Sequence, residues 1–369
     1  MDAPASHACE SIFAMKLVFP LALGLILWAA LPVRASDSVN LARQYPHKSM
    51  TAKAFGAGAK SYWIYEPAEP IPEKAPVIVF HHGWLAVNPG VYGSWIEHLV
   101  RSGKIVIFPK YQTEFSNPYD FLPNSIAAVR DALDVLETAP GHVRPDRSKF
   151  ALIGHSAGGN LSAQMAAVAQ EAGLPDPKAV IAVCPGEVKP LSEPDLARIP
   201  ATTLLVVAAG SEDRLVGDCR AREIYALTTS IPATRKKFIL YRSDRRGPVV
   251  FVADHLSPTA GLASVDNGEG LLRNKQMAKA TVDILDRFGF WRMADITIEA
   301  AFAGQSLDDA TSKGALFRDL GRWGDGRPVT PPICEDDLAT IPRVFPTNGV
   351  RILPWSADEF RRMLMVDKP

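Results

Sequence analysis

Apolar residues fall along this chain in short continuous bursts separated by longer stretches of helical spacing. The bursts are SYWIYEP (61–67), which alternates and ends at Pro67, then PVIVFHHG (76–83), KIVIFPK (104–110), KFALIGHS (149–156), KAVIAVCPG (178–186), ATTLLVVAAG (201–210) and KKFILYRS (236–243). A run of this length closed by a turn former marks a strand buried on both faces. Helical spacing occupies VYGSWIEHLVRSG (91–103), SIAAVRDALDVLET (125–138), AGGNLSAQMAAVAQEAG (157–173) and GLLRNKQMAKATVDILDRFGF (270–290). Gly103 closes the first of these as a C-cap, and Asn124 or Ser125 opens the second as an N-cap. The alternation predicts an α/β fold: a doubly wound, mostly parallel sheet with helices on both faces.

The two ends of the chain depart from this rhythm. Residues 17–31, LVFPLALGLILWAAL, are uncharged and follow Met15-Lys16, with Val33 and Ala35 at the −3 and −1 positions of a cut after Ala35. That order predicts a secretory signal peptide over residues 1–35, because the run is short for a bilayer span. The alternative is an uncleaved anchor formed by residues 17–31, and Met15 makes a more usual signal start than Met1. Secretion to the periplasm or the exterior is the expectation, with the membrane met only in transit. Beyond residue 298 the alternation stops. GRWGDGRP (321–328) and TPP (330–332) are turn signals, and an apolar-charged helix is predicted near 356–365. The expected division is a signal (1–35), an α/β domain (36–297) and an irregular C-terminal extension packed on the core (298–369).

Charge narrows the partners. Lys+Arg and Asp+Glu are 40 each, so no net field points to nucleic acid or an anionic membrane. Removing the signal takes away Cys9 and leaves Cys184, Cys219 and Cys334, from which an oxidising compartment could make one disulfide in any of three pairings. No cysteine or histidine cluster has metal-site spacing, and adjacent His81 and His82 at a strand end point to opposite faces, so no metal is expected.

The chemistry gathers at strand ends. ALIGHSAGGN (151–160) places Ser156 where a strand turns into a helix, flanked by Gly154 and Gly158, at which a side chain would collide with neighbouring elements. Ligands of parallel sheets bind beyond the carboxyl ends of the strands, and the new helix N-terminus offers unpaired N–H groups there. A serine hydroxyl needs a base, and the base needs an orienting carboxylate. Asp213 lies three residues past Gly210, ahead of rivals Glu212, Asp218 and Asp254, and His255 is the one histidine downstream of that acid. The Ala157 N–H is one expected oxyanion donor, and the Trp84 N–H, following Gly83 in HHGW, is the second. Trp84, Tyr92, Trp95 and Tyr119 are the expected substrate-contacting side chains, with QTEFSNPYDFLPN (112–124) as part of a lid or cleft wall.

Together Gly154-His155-Ser156-Ala157-Gly158-Gly159, His82-Gly83, Asp213 and His255 resemble the α/β-hydrolase superfamily, nearest its chlorophyllase-like, dienelactone-hydrolase-like and polyester-hydrolase-like esterases. The resemblance covers roughly residues 60–290. It implies a serine hydrolase that works through an acyl-enzyme without a cofactor on a small-molecule or lipid-like ester. A peptidase or acyltransferase on the same three residues, and a secreted binding protein that keeps the fold without catalysis, are the alternatives.

Overall fold

The computed structural model describes residues 45–188, 195–335 and 337–346. The signal segment, the alternative anchor over 17–31 and the helix expected near 356–365 lie outside the described residues. Eight strands form one sheet in the order β1-β2-β4-β3-β5-β6-β7-β8. These are β1 (Ser49–Phe55), β2 (Tyr62–Ala68), β3 (Lys74–His81), β4 (Ile105–Pro109), β5 (Arg144–His155), β6 (Ala179–Val183), β7 (Leu204–Gly210) and β8 (Lys236–Tyr241). β1 and β2 run antiparallel at one edge, and β4 through β8 run parallel to one another.

The continuous apolar bursts now have a physical reason. Successive strand residues face opposite sides, and both sides are covered. Val77 and Val79 of β3 and Val180 and Ala182 of β6 enter a core shared with α2 (Phe121–Thr138), α3 (Ala157–Val168) and α4 (Cys219–Leu227). Ile78 and Phe80, with Ala179, Ile181 and Val183, enter the opposite core, built with α1 (Gly93–Arg101) and α6 (Trp291–Phe302). At about 1.5–3 kcal/mol for each fully buried aliphatic side chain, these two layers dominate the folding energy.

Several expectations shift. β1 was not foreseen, because SMTAKAF is mostly exposed and carries no apolar burst. α2 begins at Phe121, not near Ser125, because a turn at Pro118–Asp120, capped by the Asn117 side chain, leads straight into it. The single helix expected over 270–290 is broken: α5 (Arg273–Lys279) ends at Ala280, whose backbone pairs with Gly261, and a π-helical turn (Leu285–Phe290) leads into α6. α6 therefore runs through the expected domain boundary at 297/298. Past α7 (Leu307–Thr311) and α8 (Ala315–Arg318), the extension reaches the sheet, where Ile333 exchanges both backbone hydrogen bonds with Leu240 of β8. The loop after β8 holds a small hairpin, β9 (Asp244–Arg246) and β10 (Val249–Phe251). The disulfide expectation is corrected as well: Cys184 and Cys334 are buried, Cys219 is exposed, and all three are free thiols.

The turn after β5 is the tightest place in the fold. A Cβ on Gly154 would lie 2.0 Å from the Gly158 carbonyl oxygen, and one on Gly158 would lie 2.3 Å from the carbonyl oxygen of His81. Both obstacles are backbone and cannot rotate aside. Gly158→Ala is expected to destabilise the protein by about 3 kcal/mol or more, the upper range for overpacking. Gly324→Ala, whose Cβ meets nothing within 4 Å, is expected to stay within about 0.5 kcal/mol of the parent. Denaturant unfolding of the two variants side by side checks the contrast, and equal stability would refute it.

Candidate active site

Strand register explains why residues distant in sequence meet. His81 of β3 stands opposite Gly154 of β5, and Val183 of β6 stands opposite both His155 and Ala208 of β7. Two residues beyond these pairs the strands end together, so Gly83 and Ser156 are neighbours. A Cβ on Gly83 would lie 3.3 Å from the Ser156 Cβ. Ser156 itself has φ +57° and ψ −125°, a left-handed conformation costly for a residue with a side chain. The close approach of Gly154 and Gly158 enforces it, and it separates Ser156 from the regular course of both strand and helix.

Asp213 leaves β7, two strands from the serine, so the two backbones stand roughly 10 Å apart at the usual strand spacing. His255 spans that gap. Its Nε2 is 2.9 Å from the Ser156 Oγ, and its Nδ1 is 2.8 Å from the Asp213 Oδ2. The Asp213 carboxylate is wholly buried, and its Oδ1 accepts the amide N–H groups of Leu215 (3.1 Å) and Val216 (3.0 Å). Burial opposes the Asp213 charge. The His255 ring and the two amide donors outweigh it, and the carboxyl titrates below its usual range.

The rival acids serve elsewhere. Asp254 caps its own loop by accepting the N–H groups of Leu256 and Ser257. Asp218 pairs with Arg222, and Glu212 is exposed. The other histidines are also engaged: His47 with the Pro70 carbonyl, His98 with Asp295 and His142 with Glu66.

Around the serine, the amide N–H groups of Trp84 and Ala157 have no hydrogen-bond partner among the described residues. The Gly83–Trp84 peptide is held from its other side. Its carbonyl is met by the His82 Nδ1 at 2.6 Å and accepts the Ala86 N–H at 3.0 Å. Gly186, in the loop after β6, faces the same space: a Cβ there would lie 3.4 Å from the Ser156 Oγ and 3.6 Å from the Ala157 nitrogen.

The expected substrate contacts divide. Trp84 is half-buried against Phe121, and Tyr119 is exposed in the loop that leaves the carboxyl end of β4. Tyr92 and Trp95 are corrected: both are wholly buried. Trp95 packs edge-on against Phe80 inside the core. The Tyr92 hydroxyl accepts the Gly83 N–H (2.9 Å) and lies 2.8 Å from the His155 Nδ1. Sequence reasoning missed the contact between His155 and the Tyr92 hydroxyl, and the place of Gly186. Nothing in the local pattern signals these roles, which arise only where separate strands converge.

Three buried histidines around the site are held below the usual histidine range. Burial is the main cause for each, lowering His81 and His155 to about 3 and His82 to about 4, the last against the pull of the Gly83 and Lys110 carbonyls. In the unfolded chain each takes a proton near 6.5. Each therefore contributes stability that is fully present above that value and is lost as pH falls toward the folded value. Asp286, which burial raises to about 8, runs the other way between about 4 and 8. A difference between variants cancels that contribution. The His81 ring lies between the hydroxyls of Ser162 and Ser125, which a glutamine amide can also meet. Between about pH 4.5 and 6, His81→Gln is expected to flatten the acid limb of stability by about 1.4 kcal/mol per pH unit, one proton's worth. Denaturant titrations at several pH values measure the slope, and unchanged slopes would mean that His81 is not held neutral.

Residues 77–213, from β3 to Asp213, match a family model described as alpha/beta hydrolase fold. No curated protein matches the chain. The matched stretch contains Gly83-Trp84, Ser156 and Asp213, on the sheet order described above. Over that stretch the chain is similar to the alpha/beta hydrolase fold family, and its mostly parallel sheet has that fold.

Proposed function

We propose that the protein is a serine esterase that cleaves carboxylic esters through an acyl-enzyme. The observation that carries this reading is the line from Asp213 through His255 to Ser156, with contacts of 2.8 and 2.9 Å ending on a serine held at φ +57°. Ser156 attacks the ester carbonyl carbon as His255 Nε2 takes the hydroxyl proton, and Asp213 stabilises the imidazolium that forms. The free N–H groups of Trp84 and Ala157 hold the tetrahedral oxyanion. Collapse returns the proton to the leaving alcohol. His255 then activates water, which hydrolyses the acyl-enzyme and releases the acid. No step needs a cofactor. The uncharged run at 17–31 followed by Val33 and Ala35 supports export of the enzyme from the cytoplasm.

The test is hydrolysis of p-nitrophenyl acetate, butyrate and octanoate by the mature chain beside Ser156→Ala. Turnover is expected to fall by about 10⁴-fold or more in the variant, the scale on which such nucleophiles act, and a fluorophosphonate is expected to label Ser156. Serine-independent turnover, or none with no labelling, would overturn the reading. Asp213→Asn is expected to lose about 10⁴-fold in kcat with the fold intact. Gly186→Ala fills the space before the Ser156 Oγ and is expected to lower kcat/KM for octanoate about tenfold more than for acetate, a methyl-sized effect. Equal losses on both esters would remove Gly186 from the acyl side.

A further inference from the structure

A triad histidine must hold its ring between two fixed partners while its charge changes, so the backbone beneath it has to be fixed as well. The loop carrying His255 is tied down from two directions by ordinary means: the Asp254 carboxylate caps it, and the Glu212 N–H binds the Ala253 carbonyl. A third tie is unusual. The carbonyl of His255 itself lies 2.7 Å from the Nε2 of His155, the residue immediately before the nucleophile. The other nitrogen of that ring, Nδ1, lies 2.8 Å from the Tyr92 hydroxyl, which in turn accepts the Gly83 N–H at 2.9 Å.

Donor bookkeeping fixes the direction of the whole chain. A carbonyl can only accept, so His155 carries its proton on Nε2 and donates it to His255. Nδ1 is then a bare acceptor, and the Tyr92 hydroxyl donates to it. The tyrosine oxygen is left free to accept from the Gly83 N–H. Every donor has one acceptor, and the order runs from the β3 end, Gly83 to Tyr92 to His155 to the loop of His255. His155 and Tyr92 are both sealed from solvent, so water cannot replace a broken link.

We propose that His155 is a positioning residue that couples the two halves of the catalytic site. Its Nε2–H holds the backbone of His255, and the Tyr92 hydroxyl ties that ring to the peptide beside Ser156 that leads into the Trp84 N–H. The inference rests on the esterase reading for its kinetic consequence, but not for its structural one. The His155 and His255 rings stand 4.9 Å apart between centroids. A charged neighbour at that distance would oppose the imidazolium that His255 becomes in each half-reaction. A ring whose two nitrogens are already committed stays neutral, and burial favours the same state.

The test has two independent readouts. Nitrogen-15 NMR of the histidine side chains of the folded chain is expected to show His155 as the neutral Nε2–H tautomer, without titration from pH 8 to 5. An Nδ1–H tautomer, or titration near 6.5, would overturn the relay whether or not the protein turns over an ester. In kinetics, Tyr92→Phe is expected to lower kcat by about 10- to 100-fold with KM within about threefold, the cost of a small misplacement of reacting groups. His155→Leu is expected to lose at least as much. His155→Gln, whose amide N–H can still reach the His255 carbonyl, is expected to recover most of the rate. The double variant Tyr92→Phe/His155→Leu is expected to be no slower than His155→Leu alone, because the two act through one path. Fluorophosphonate labelling rates are expected to fall in parallel with kcat, while wild-type labelling reports separately on the esterase reading. Unchanged kcat in Tyr92→Phe, or multiplicative losses in the double variant, would overturn the coupling.

Discussion

Everything at the carboxyl edge depends on one contact without side chains, the approach of the first turn of α3 to the end of β3. Gly158 lies so close to the carbonyls of His81 and His82 that a Cβ would sit 2.3–2.4 Å from their oxygens. Gly154 closes the other side of the turn against Gly158. With both neighbours stripped to backbone, the chain reverses within three residues and the serine between them takes the cost in its own φ. The same contact sets the distance from Ser156 to the Gly83–Trp84 peptide, and so the place where an oxyanion would be held. Loss of this approach would disturb Ser156 and the Gly83–Trp84 peptide together.

The electrostatics follow from burial. One carboxylate, Asp213, stays ionised at no exposure to solvent because it has three donors: His255 and two amides. The histidines around it are pushed the other way, toward neutrality, by the same lack of water. Next to Ser156, charge is thus concentrated on the Asp213–His255 pair. Since an unpaired charge in such surroundings costs several kcal/mol, the neutral rings are a condition for the pair to hold its geometry.

Much of this was legible in the sequence, for identifiable reasons. The parallel strands could be read because burial on both faces makes them continuous apolar runs, and Ser156, Asp213 and His255 because each follows such a run in chain order. The misreadings share a different cause. Tyr92 and Trp95 were expected to touch substrate, but the turn before α1 and α1 itself carry their side chains into the core layer around Phe80. The helix over 270–290 is broken by Gly261, whose backbone pairs with Ala280, a contact between segments that periodicity does not encode. β1 escaped because an edge strand with exposed polar positions has no hydrophobic signature. His155 carries no signature of its role, because its partners, Tyr92 and the His255 carbonyl, are 63 and 100 residues away in sequence.

That last point separates what is fixed in this site from what is free to vary. Ser156, Asp213, His255 and His155 are buried and hydrogen-bonded to one another or to backbone. The apolar side chains that stand out into solvent, Phe115 at 78% and Leu215 at 54% exposure, sit on loops leaving the same edge. On the proposed esterase reading, a buried centre bordered by exposed apolar side chains places the chemistry in the scaffold and substrate preference in the border. Changes to Phe115 or Leu215 alter little packing and few hydrogen bonds, whereas a change at Gly158, Tyr92 or His155 reaches the reacting atoms through backbone. Substitutions on those loops can therefore leave the geometry of Ser156 undisturbed, provided that the contact between α3 and β3 is intact.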